Sequence, residues 1–116
     1  MSPARSEVRK KFRLGDSVPV FAALADETRL RLVARLCEDG PSSIARLADG
    51  AGVTRQAITK HLHVMEEAGL VHATRRGREN VFALEPRRLA EAKRCLDAIS
   101  EQWDLALERL RDFVER

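Results

Sequence analysis

The chain has 116 residues, with 44% hydrophobic and 34% charged side chains, a length and balance that predict one soluble globular domain needing neither disulfides nor a structural metal to fold. Its 21 Lys and Arg stand against 18 Asp and Glu, a formal charge of +3 that is too weak alone to point to nucleic acid. Four Phe, one Trp and no Tyr leave little material for an aromatic ligand cage, and no apolar run approaches the length of a membrane span.

Arg5, Arg9, Lys10, Lys11 and Arg13 make residues 1–16 a basic N-terminal arm, read either as a contact to flanking phosphates or as a solubilising segment. No apolar stretch follows Met1–Arg5, so the start does not read as a secretory signal and the expected location is the cytoplasm. Gly15 and Pro19 precede the apolar stretch Val18 to Ala25, a helix with Pro19 placed in its first turn. Asp26 reads as the N-cap of a second helix, in which Leu32, Val33 and Leu36 form the apolar face with arginines opposite. Gly40-Pro41 ends that helix. Ser42 or Ser43 caps a short third helix that buries Ile44, Leu47 and Ala48 and closes at Gly50 and Gly52.

Thr54 caps a fourth helix that runs to Glu67 or Ala68 and stops at Gly69. Leu70–Thr74 and Asn80–Leu84 then read as two strands, with Arg75–Glu79 as the turn between them. Pro86 opens a last helix that ends near Arg116. The expected fold is mainly α with a small β-hairpin. Its parts are the arm 1–16, a helix-and-hairpin unit 17–85 and a C-terminal helix 86–116.

Residues 43–68 have the spacing of a helix-turn-helix, whose second helix enters the DNA major groove. At 100° per residue, Ile58, Leu62 and Met65 fall together and face the core. Gln56, Thr59, Lys60 and His63 fall opposite, with Arg55 on the shoulder. Gln bonds adenine bidentately and Arg does the same for guanine, while Thr54 and the free N–H groups of the first turn suit a phosphate. A solvated amphipathic face would give the same wheel. The basic hairpin directly behind it, with Arg75, Arg76 and Arg78, favours the DNA reading and gives the arrangement of a winged helix.

Three ordered stretches, Phe21 to Leu32, Thr54 to Leu62 and Glu67 to Val71, resemble the ArsR/SmtB-like bacterial repressors, and Gly77-Arg78 followed by Phe82-Ala83-Leu84 resembles their wing. The resemblance implies a winged-helix homodimer that binds a palindromic operator and leaves it on sensing a signal. Carried over by motif position, it implies that Thr54, Arg55, Gln56, Thr59, Lys60 and the wing arginines contact DNA.

Many members of that family sense metals, and one of their sites is a Cys-Val-Cys run on the first helix of the pair. Ser43 and Ala45 stand at the matching positions here, and Arg46 adds a repelling charge. The last helix has no His for the family's second site, and His61 and His63 point to different sides of their helix. No metal or other cofactor is therefore expected. His61 falls at the edge of the core, where a structural hydrogen bond is the expected role. Cys37 and Cys95 form neither a CxxC nor a zinc spacing. They read as reduced thiols, with a redox-sensing pair as the alternative; sensor thiols need to be exposed and of low pKa.

Leu89, Ala92, Leu96, Ile99, Trp103, Ala106, Leu110 and Phe113 repeat every 3.5 residues along the last helix. Residues 87–115 would span about 43 Å, more than a small body can cover. The seam predicts a homodimer interface built on Leu89, Leu96, Ile99, Trp103, Leu110 and Phe113. No nucleophile-base set, phosphate-cradling loop or paired-carboxylate site marks an enzyme. The expected function is a sequence-specific DNA-binding repressor acting on double-stranded DNA, with redox sensing or a winged-helix assembly module as the alternatives.

Overall fold

The structure, a computed structural model, describes residues 14–115; most of the basic arm lies outside the described residues. Helix α1 spans Leu14–Leu24 and α2 spans Glu27–Asp39. A short strand β1, Ser42–Ser43, leads into α3, Ile44–Ala48. Helix α4 spans Arg55–Glu67, strands β2 and β3 span Val71–Arg76 and Glu79–Leu84, and helix α5 spans Pro86–Glu115. No described helix is long and apolar enough to cross a membrane.

The caps follow the polar residues that precede each helix. The Asp26 carboxylate accepts the Arg29 N–H at 3.0 Å, and Gly40, with φ +73°, returns its N–H to the Leu36 carbonyl. Ser43 Oγ accepts from Arg46 N at 3.2 Å, and Thr54 Oγ1 accepts from Ala57 N at 3.1 Å. Pro19 departs from its expected first-turn place. The helix starts before it, at Leu14, so Pro19 lies inside α1 and removes a hydrogen bond to the preceding turn. Ser17, Val20 and Ala23 are buried on one face of that helix, which packs against α5, and this burial holds the segment helical across the break. The helix also begins inside the segment read as arm.

Leu32, Leu36, Leu47, Ile58, Leu62 and Met65 form the centre of one core, closed below by Leu70, Val71 and Phe82. Burying each such side chain contributes roughly 1.5–3 kcal/mol. The sheet has three strands in the order β1-β3-β2, all antiparallel, where the sequence predicts two. Ser42 pairs with Phe82 and Ser43 with Val81. Two residues are too few to show a strand's alternation, so β1 leaves no pattern to read. Its effect is large, because it ties the hairpin directly to the residue that caps α3.

The hairpin is also longer than its sequence pattern suggests. Arg76 pairs with Glu79, which shortens the turn to Gly77 and Arg78. Two-residue hairpin turns favour types with a positive φ at the first central residue, and Gly77 has φ +62°. Arg75 and Arg76 are therefore strand residues rather than turn residues.

Candidate nucleic-acid interface

Helix α4 sits on the body through Ile58, Leu62 and Met65, all fully buried. That seating turns Arg55, Gln56, Lys60 and His63 outward as exposed side chains, with Thr59 half-exposed beside them and Thr54 exposed at the helix start. The two threonines offer different chemistry. Thr54 Oγ1 already accepts from Ala57 N, so its O–H is free to donate to a phosphate oxygen. Thr59 Oγ1 donates to the Arg55 carbonyl at 2.8 Å, so it is left with lone pairs that accept from a base amino group.

Strand alternation sends Arg75 and Arg76 to opposite faces of the hairpin. Both are exposed, as is Arg78 in the turn, and Arg75 Nε donates to the Gly77 carbonyl at 3.3 Å. Among the described residues, Arg55, Lys60, Arg76 and Arg78 enter no ion pair. The arginines of α2 differ in this respect. Arg31 pairs with Glu27, Arg35 lies 4.0 Å from Asp39, and Arg29 lies 4.0 Å from Asp26. Unlike those of α2, the cations of α4 and the hairpin are left free for phosphates.

Two arginines that the helical wheel was read as sending to solvent instead turn inward. The Arg29 side chain is 17% exposed, donates from Nε to the Ala23 carbonyl and places Nη1 3.3 Å from His61 Nδ1. Arg35 Nη1 donates to the carbonyls of Leu47 at 3.0 Å and Asp49 at 2.8 Å. The spacing of Arg29 with Leu32, Val33 and Leu36 does place it on the apolar face. The sequence carries that signal, but a cationic head reads by default as solvent-facing. His61 is half-buried, lies 3.9 Å from Asp26 Oδ2, and fills the structural role expected of it. The Arg29 backbone N–H bond, together with the nearby Arg29 guanidinium, holds the Asp26 carboxyl below the usual carboxylate range.

The places where a metal site would be sought do not fit one. Ser43 Oγ is engaged in capping α3, Ala45 has no ligand atom, and no group of three or more His, Cys, Asp or Glu converges among the described residues. Cys37 is exposed, but Cys95 is 1% exposed within the body, which does not match the exposed pair that redox sensing requires.

The expected dimer seam divides in two. Ala92 is buried in the chain's own core and Leu89 packs half-buried against it, so these two positions are engaged without a partner. Leu96, Ile99, Trp103, Leu110 and Phe113 are exposed, Trp103 at 66% and Phe113 at 74%. The cause is length: α1 covers the first turns of α5, and the helix then runs on past the body.

A short helix, a glycine-containing turn, an outward polar helix and a basic hairpin anchored by a third strand define a winged helix-turn-helix protein. A family model described as a helix-turn-helix domain matches residues 24–73. The HTH-type transcriptional regulator Rv2034 of Mycobacterium tuberculosis is 39% identical over 95 residues, 82% of this chain and 85% of that protein. The arsenical resistance operon repressor of Escherichia coli K12 is 30% identical over 97 residues, 84% of this chain and 80% of that one. Among solved structures, an ArsR-like transcriptional regulator from Rhodococcus sp. RHA1 superposes with a TM-score of 0.71 at 34% identity, covering 87% of this chain and 94% of that one. The chain belongs to the ArsR family of transcriptional regulators, with a helix-turn-helix DNA-binding domain.

Proposed function

We propose that the protein is a transcriptional repressor that binds a palindromic operator as a homodimer. Helix α4 enters the major groove, where Arg55, Gln56 and Thr59 read base edges and Thr54, Lys60 and His63 hold the flanks. Arg75, Arg76 and Arg78 clasp the neighbouring backbone from the wing. Two copies joined through the exposed seam of α5 place their α4 helices about 34 Å apart, one turn of DNA. The observation that carries the reading is the unpaired state of the outward cations on α4 and the hairpin, beside an apolar seam that one chain leaves open.

Selection from a random DNA pool tests it. The expected product is an inverted repeat with half-sites one helical turn apart. On that DNA, Lys60→Ala and Arg78→Ala each lower the salt slope of binding by about one unit. Failure to enrich any inverted repeat, or slopes unchanged in both variants, would overturn it.

A further inference from the structure

The Arg29 side chain links three helices of the DNA-binding unit. Its stem rises from α2, its Nε donates to the carbonyl of Ala23 in the last turn of α1, and its Nη1 faces His61 on α4 at 3.3 Å. A guanidinium only donates, so His61 Nδ1 must be the acceptor and its ring proton sits on Nε2. The Ala23 end of this contact is buried, on a helix that packs against α5. The His61 end lies one residue from Lys60 and two from Thr59 and His63, on the helix that carries the reading face.

Resting on the DNA-binding reading, we propose that Arg29 is a positioning residue for operator recognition: through His61 it fixes the orientation of α4 against the α1–α2 corner. At 17% exposed and turned inward, the Arg29 side chain is no phosphate contact itself. Its two engaged nitrogens, Nε and Nη1, stand apart on a rigid planar fork and hold two helices at once, a spread that the single nitrogen of a lysine does not reproduce. A reading helix held by locked supporting residues presents base-contacting groups at fixed positions; a loosened one loses affinity and selectivity together. Arg35 makes the matching tie to α3, through the Leu47 and Asp49 carbonyls, so α2 braces both helices of the pair.

The test is a double-mutant cycle on the selected operator, using the full chain. Arg29→Met and His61→Leu should each weaken binding by roughly tenfold, and the double variant should be no weaker than the worse single one. His61→Asn, which keeps an acceptor near the Nδ1 position, should stay within about twofold of the parent protein. The salt slope should not move in any of them, because no phosphate contact is lost. Circular dichroism and sedimentation confirm that each variant is folded. If Arg29→Met is not, Arg29→Lys, which keeps the charge but not the two-way bond, takes its place and should show the same loss.

Additive losses, a slope reduced by about one unit in the Arg29 variant, or failure of His61→Asn to preserve binding would each overturn the proposal. A parent protein that selects no DNA would sink the DNA-binding reading first, and this one with it. A parent that binds normally beside an Arg29 variant with unchanged affinity would sink this one alone.

Discussion

Helices α4 and α5 are both amphipathic, yet their apolar faces meet different ends. In α4, Ile58, Leu62 and Met65 are fully buried by the chain's own core. In α5 the stripe starts buried at Ala92 and Cys95, and from Leu96 onward it is open. A helix whose apolar face is covered can display its other face, and α4 displays polar and cationic groups suited to DNA. A helix whose apolar face is open has a surface left to cover, and the role proposed for α5 is to meet a second copy. Hydrophobic periodicity reports which face is apolar but not what covers it, and the structure supplies that distinction.

The sharpest way to break the comparison is to cut into each face. Leu62→Ala removes part of a fully buried side chain and should cost about 3 kcal/mol of folding stability, read from urea unfolding. Trp103→Ala combined with Leu110→Asp should leave folding of the isolated chain unchanged. It should weaken the dimer by at least about thirtyfold, roughly 2 kcal/mol, measured by sedimentation over a range of concentrations. Operator binding should fall with the dimer. If the α5 pair instead lowers the unfolding midpoint at concentrations where the parent is monomeric, the distal seam belongs to the core and the two helices are alike.

Thr54 sharpens the comparison at smaller scale, because α4 needs its cap for both stability and display. Thr54→Ala removes the acceptor for Ala57 N and should cost about 1 kcal/mol. Thr54→Ser keeps the cap and the free hydroxyl donor and should match the parent in both stability and operator affinity. A Ser variant that binds as poorly as the Ala variant would deny the hydroxyl its part.

Much of this was legible in the residues. The wheel of α4 separates Ile58, Leu62 and Met65 from Gln56, Lys60 and His63, and the structure divides them the same way. Asp26, Thr54 and Gly40 mark helix ends because their side chains or backbone freedom meet a need local to the chain. What escaped was what depends on distant partners. Strand β1 exists because Phe82 and Val81 lie alongside Ser42 and Ser43, and no spacing within two serines foretells that. Leu89 was assigned to the partner because its seam is continuous, but Leu89 packs on the chain's own core and the seam's exposed part begins only at Leu96. The contact network of Arg29 joins residues far apart in the chain, with a spacing clue outweighed by the charge of its head.

The smallest effect lies at the corner where α4 meets the rest of the body, and α5 has no counterpart to it. The Asp26 carboxylate accepts the Arg29 N–H and has the Arg29 guanidinium close by, so its pKa in the folded chain is lowered. A lowered folded value means the ionised form is favoured by folding. Its stabilising contribution is complete above the ordinary aspartate value of about 3.9 and is lost as the pH falls through the folded value below it. Urea unfolding of the parent and of Asp26→Asn between about pH 6 and pH 2 should therefore converge on the acid side and separate above about pH 4, with the parent the more stable. Asn caps a helix as well as Asp does, so the difference isolates the charge from the cap. Ion pairs on exposed α5, such as Lys93 with Asp97 at 3.5 Å, should add almost nothing to that curve when removed. Parallel curves for the parent and Asp26→Asn would mean that the corner is held by Arg29 and the cap alone, with no part for the carboxylate's charge.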